Sequence, residues 1–147
     1  MNWIVASFYG DKVYLPVMAR TNVGVYWETG TVIMCNAETQ NLAAVLQTLR
    51  DTETPSIPHP TRSERNRMDP SQKAMGFRSW RKMAEAGVIG CGVYWTDDGI
   101  YVYFSQPDDA SVFGAHEIRL PPDTPLEVIV EQILDYVRKR QAKETDR

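Results

Sequence analysis

A chain of 147 residues carrying a net charge of −3 is long enough for one domain that buries roughly two-thirds of its unfolded surface, so it needs no disulfide or metal to hold it together. At 43% hydrophobic and 24% charged it is excluded from the disordered class. An acidic pI of about 5.4 argues against general nucleic-acid binding, which leaves a basic footprint.

No apolar run reaches the roughly 18 residues of a membrane-spanning helix. The first residues, MNWIVASFYGDKVY, have no basic leader and only a short apolar run, so they are not read as a signal peptide. A cytoplasmic location is expected. Cys35 and Cys91 lie far apart with no CxxC partner, and both fall in apolar, strand-like context. They are read as reduced core thiols.

Residues 2–9 (NWIVASFY) are rich in β-branched and aromatic types and end at Gly10-Asp11, a strand and a turn. Residues 12–18 alternate Val13, Leu15 and Val17 on one face. Pro16 has no N–H for a ladder, so this strand is expected at an edge or broken. Glu28-Thr29-Gly30 reads as a turn joining a hairpin of 23–27 with 31–35. Asn36 is expected to cap a helix whose Leu42, Val45, Leu46 and Leu49 share a face, ending near Asp51.

Residues 52–69 hold Pro55, Pro58 and Pro60 and read as a long extended loop. Asp69-Pro70-Ser71-Gln72 is a helix start, with Asp69 as N-cap, Pro70 at the first helical position and Gln72 closing a capping box. The helix is expected to run to Gly87, with Phe77 and Trp80 facing the core and Arg78, Arg81 and Lys82 facing out. Gly76 interrupts its propensity. Residues 88–95 and 99–104 read as strands joined at Thr96-Asp97-Asp98-Gly99, with Gly90 and Gly92 marking a bulge or a close backbone approach. A loop over 105–115 and a short strand over 116–120 follow. Thr124 is expected to cap the last helix, with Pro125 at its first position and Glu127 closing a box. Leu126, Ile129, Val130, Ile133, Leu134 and Val137 recur at helical spacing. The expected fold class is α+β, a single domain over 1–137 with a largely antiparallel sheet of five or six strands and three helices. Residues 138–147 are expected to form a charged, frayed tail.

Charge is unevenly spread. Residues 61–82 carry seven basic side chains (Arg62, Arg65, Arg67, Lys73, Arg78, Arg81, Lys82) against two acidic ones (Glu64, Asp69), a net +5 that leaves −8 for the rest. A solvated face explains this; so does a patch for an acidic partner, including nucleic acid. No metal, cofactor or catalytic motif stands out. His59 and His116 have no HxxxH or HxxE companion, and a hydrolytic role would need a carboxylate or cysteine beside one of them in space. Alternation puts Tyr101 and Tyr103 on one sheet face, an arrangement that RNA-binding sheets use, but the acidic surroundings disfavour RNA.

Within the basic segment, KAMGFRSWRK at 73–82 resembles the "KAxGhKSWxxF" signature (h apolar) of small immunity proteins from bacterial contact-dependent growth inhibition systems. LPVMART at 15–21, IPHP at 57–60 and the closing LPPDTPLEVIVEQIL are similar to further segments of that family in the same order. Met83 departs from it, since an aromatic follows the SW pair there. The resemblance implies a cytoplasmic antidote that binds one toxin domain, often over its active site, and catalyses nothing. Many such toxins are nucleases with basic clefts, which acidic groups can occupy as phosphate mimics. Charge reading nominates Asp97, Asp98, Asp108 and Asp109 for that role, with Arg78, Arg81 and Lys82 as the other candidate contact set.

Overall fold

The computed structural model describes residues 1–145. In chain order its elements are β1 (Trp3–Tyr9), β2 (Lys12–Thr21), β3 (Tyr26–Asn36), α1 (Thr39–Asp51), β4 (Ser56–Ile57), α2 (Arg62–Arg65), α3 (Pro70–Met75), α4 (Trp80–Glu85), β5 (Ile89–Trp95), β6 (Ile100–Ser105), β7 (Phe113–Leu120) and α5 (Leu126–Thr145). The strands form one sheet in the order β3-β2-β1-β5-β6-β7. Every pairing along that path is antiparallel, and the two-residue β4 adds in parallel beside β2. The α+β class and the largely antiparallel sheet are as the sequence implies.

Period-two alternation sends Ile4, Ala6 and Phe8 of β1 to one face, with Val13 and Leu15 of β2, Cys91 and Val93 of β5, and Val102 and Phe104 of β6. α1 and α5 cover that face. Leu42, Leu46 and Leu49 of α1 and Ile129, Val130, Ile133, Leu134 and Val137 of α5 complete the main core. Each such side chain, fully buried, contributes about 1.5–3 kcal/mol. A second, smaller cluster of Met83, Ala84, Val88 and Ala110 lies on the opposite face. Phe77 and Trp80 are half-buried against it rather than set in the main core.

Several local expectations change. Glu28-Thr29-Gly30 is not a hairpin turn. β3 runs through it, and the register against β2 shifts between Pro16 and Met18, so residues 29–31 bulge opposite Val17. Gly30 takes the positive φ of 108° there, and the Thr29 hydroxyl donates to the Val17 carbonyl at 2.9 Å. The true turn is at 22–25, closed by Thr21 N–H to the Val25 carbonyl at 2.8 Å. β2 is an inner strand, not an edge. Its ladder to β1 ends at Tyr14, before Pro16, so the missing N–H costs no bond in that ladder.

Asn36 ends β3 instead of capping α1, whose N-cap position is Glu38. The proline-rich stretch contains β4 and α2, the latter closed by a capping box in which Thr61 and Glu64 bond each other's backbone amides. The helix expected over 70–87 is broken into α3 and α4. Gly76 ends α3 in the left-handed conformation at φ +82°, and Ser79 starts α4 by accepting from Lys82 N–H at 3.1 Å. At the last helix, Thr124 donates its hydroxyl to the Pro121 carbonyl, and Pro125, whose carbonyl accepts from Val128 and Ile129, occupies the capping position. α5 continues past Val137 to Thr145, where a frayed tail was expected. Arg140 in that extension donates to the Ser105 carbonyl at 2.6 Å. Residues 146–147 of the expected tail lie outside the described residues.

Candidate partner-binding surface

The face opposite α1 and α5 is covered at one end only. There Phe77 packs edge-on against Tyr9 (centroids 5.4 Å apart), and Ala110 of the β6–β7 loop lies over Gly90. Gly90 and Gly92 are thus close-approach glycines, and the β5–β6 register runs unbroken from Cys91 to Trp95. Toward the β5–β6 turn the same face is aromatic and open. Cross-strand register sets Trp3 beside Tyr94, Tyr94 beside Tyr101, and Tyr101 beside Arg119. Trp3 meets Tyr94 edge-on at 6.1 Å, and Tyr101 stacks with Tyr103 at 6.5 Å. The Arg119 guanidinium lies 5.6 Å from the Tyr101 centroid and donates to Glu117 at 2.6 Å. Tyr94 is 41% exposed. The sequence reading singled out Tyr101 and Tyr103 but not Trp3, Tyr94 or Arg119, whose place depends on a register that no local pattern states.

The four acidic candidates do not form one cluster. Asp97 and Asp98 sit in the β5–β6 turn, while Asp108 and Asp109 sit in the loop at the other end of β6. At about 3.3 Å per residue, β6 alone separates them by roughly 17 Å. The Asp97–Asp98 turn is held by the Thr96 hydroxyl, which accepts from Asp98 N–H at 3.2 Å and Gly99 N–H at 3.1 Å. Both carboxylates are therefore free of turn duty and exposed. Asp109 differs, for its carboxylate accepts from the Ser111 hydroxyl at 2.6 Å and the Ser111 amide at 2.9 Å. Those bonds hold it below the usual carboxylate range and give it a structural task. Arg78, Arg81 and Lys82 are exposed beside the second cluster. The Arg81–Glu85 pair at 3.8 Å, both side chains well exposed, contributes little.

The basic segment is tied to the sheet by a contact that the sequence reading missed. Glu28 on β3 accepts from the Ser71 amide at 2.9 Å and the Ser71 hydroxyl at 3.0 Å, at the first turn of α3. Burial pushes the Glu28 carboxyl up, the two Ser71 bonds oppose this, and Asp69 nearby raises it further.

Neither histidine hydrogen-bonds a carboxylate among the described residues. His59 Nε2 lies 3.1 Å from Arg65 Nη1. A guanidinium only donates, so Nε2 can take part in this contact only as an acceptor. His116 is exposed, stacks on Tyr136 at 4.7 Å, and lines an open cavity of about 500 Å³ with Glu131, Gln132, Asp135 and Lys139. Asp135 there is paired with Lys139 at 2.9 Å. Cys35 and Cys91 are free, lie on strands separated by β2 and β1, and both have thiols pushed up by burial. Among the described residues no three His, Cys, Asp or Glu side chains gather as a metal site, and no helix is long and apolar enough to cross a membrane.

No protein-family model matches the sequence, and no curated protein matches it. Solved structures do match in fold. A protein of unknown function, NMB0488, from Neisseria meningitidis superposes with a TM-score of 0.59 at 11% identity, over 95% of this chain and 94% of that one. A chain of the CdiA-CT/CdiI toxin and immunity complex from Yersinia pseudotuberculosis superposes with a TM-score of 0.56 at 11% identity, over 94% of this chain and 95% of that one. The fold described here is thus one that a chain of a toxin and immunity complex also adopts over 94% of this chain's length.

Proposed function

We propose that this chain is an immunity protein of a contact-dependent growth inhibition system. It binds the C-terminal toxin domain of its cognate effector one to one in the cytoplasm and blocks it without catalysing a reaction. The observation that carries the reading is the end-to-end fold match to a chain of a toxin and immunity complex. KAMGFRSWRK supports placing the chain on the immunity side. Its physical content is a folding instruction, because Gly76 ends α3 and Ser79 starts α4, so Trp80 and Met83 meet the second cluster. Met83, where the signature carries an aromatic, is fully buried there.

On this reading the contact residues are drawn from Asp97, Asp98, Asp108 and Asp109, or instead from Arg78, Arg81 and Lys82 of the basic segment. The acids suit a nuclease with a basic cleft. The test is calorimetric titration of this chain into the purified toxin domain encoded beside it, together with co-expression of the two. Tight one-to-one binding and rescued growth are expected. Absence of both would remove the proposal.

A further inference from the structure

We infer that the open aromatic face formed by Trp3, Tyr94, Tyr101 and Tyr103 is the seat of a protein partner that presents basic side chains. The identity of that partner rests on the immunity reading; the location of the seat rests on geometry. Part of this sheet face is covered by α3, α4 and the β6–β7 loop, whereas Tyr94 is exposed and Trp3, Tyr101 and Tyr103 are half-buried around it. Tyrosine, tryptophan and arginine are the residues that dominate binding energy at protein interfaces, since they bring large contact area with few rotatable bonds. Here they are pre-arranged. Gly92 leaves the space that the Trp3 ring fills, Tyr101 and Tyr103 lie nearly parallel, and Arg119 rests on Tyr101.

The frame around the rings selects the partner's charge. Asp97 and Asp98 bound the face at one end and Asp108 at the other, while Glu117 along β7 is neutralised by its 2.6 Å pair with Arg119, leaving the three aspartates as the net charge of the frame. Cations are drawn to such a frame and to tyrosine faces. Nucleic-acid phosphates are repelled by the same frame, so stacked bases are disfavoured as occupants.

The probe is the toxin domain encoded beside this chain, titrated against wild type, Tyr94→Ser/Tyr101→Ser, Asp97→Lys/Asp98→Lys and, on the far side of the molecule, Lys139→Ala. Loss of at least about 30-fold in affinity is expected for the tyrosine variant, the effect of removing a dominant contact. The charge reversal should slow association at low salt, with the difference shrinking at high salt. Lys139→Ala should bind as wild type. If the tyrosine variant unfolds, as its near-ultraviolet circular dichroism would show, the charge reversal carries the test, because Thr96 and not the carboxylates holds that turn.

Wild type that binds, with both surface variants binding equally well, would overturn this seat and leave the immunity reading standing. Wild type that fails to bind would overturn both. Two further results would also overturn it: single-stranded RNA bound through these tyrosines at low salt, or a dimer of this chain that the same changes dissolve.

Discussion

Replacing Gly92 with alanine tests the packing beneath the aromatic face. A Cβ at Gly92 would lie 2.2 Å from Trp3 Cη2, 2.9 Å from Cζ3 and 3.0 Å from Cζ2. Carbon atoms pack at about 3.5–4.0 Å, so the indole must move by more than about 1 Å. Overpacking of this kind costs about 1–3 kcal/mol, and alanine in a strand recovers roughly 0.5–1 kcal/mol of the backbone entropy that glycine loses. The net expectation is a destabilisation of about 1–2 kcal/mol, which for a chain of this size lowers Tm by roughly 2–8 °C. The assay is urea denaturation followed by far-ultraviolet circular dichroism, run as a double-mutant cycle with Trp3→Ala. Once the ring is gone the three closest contacts of the alanine are gone with it, so the penalty should vanish and reverse by about 0.5 kcal/mol. An equal penalty in both backgrounds would refute the reasoning and place the constraint in the backbone.

Two further substitutions separate backbone from side-chain causes. Gly76→Ala adds a Cβ that meets nothing within 4 Å, so its cost of about 1–2 kcal/mol comes from the left-handed φ of 82° alone, and thermal melts should show it with the sheet intact. Glu28→Gln keeps an acceptor for the Ser71 amide, whereas Glu28→Ala leaves that buried serine unpartnered and should cost about 1–3 kcal/mol more. Because burial raises the Glu28 pKa in the folded state, its contribution to stability is fully present below the unfolded value near pH 4.5 and is lost as pH rises through the folded value. Urea midpoints of wild type should therefore fall relative to Glu28→Gln as pH rises above about 4.5; parallel curves would contradict this sign.

What the sequence made legible was whatever is decided within one turn or one strand. The spacing of Ile129, Val130, Ile133, Leu134 and Val137 specified a buried helical stripe, and Asp98-Gly99 specified a hairpin; both stand. Errors arose where one residue type serves two geometries. Gly30 at positive φ suits a hairpin turn or a bulge, and only the Pro16–Val32 and Met18–Glu28 pairs on either side decide between them. Gly76 suits a tolerated glycine or a helix stop. Here the Ser79 cap three residues later was the unused clue, because a second N-cap implies a second helix. The acidic candidates were correctly exposed at Asp97, Asp98 and Asp108, but their separation along β6 follows from topology. Glu28 and Ser71 lie 43 positions apart with no local pattern joining them. The aromatic face was half visible, since alternation gave Tyr101 and Tyr103 while the neighbours from β1 and β7 needed the sheet order.

The bulge at Gly30 has a further consequence for the chain at high concentration. β3 borders the sheet over eleven residues, and its Met34 is 58% exposed. A long, flat, apolar border of that kind is a template on which further copies can stack their backbones. The shifted backbone at 29–31 divides that border into two short halves with different twist. At the opposite border, β7 carries the charged Glu117 and Arg119, and charge on an edge strand resists the same process. Straightening β3 by deleting two of residues 29–31, which restores one-to-one pairing with β2, should therefore show itself first as turbidity in concentrated samples, before any loss of helical signal.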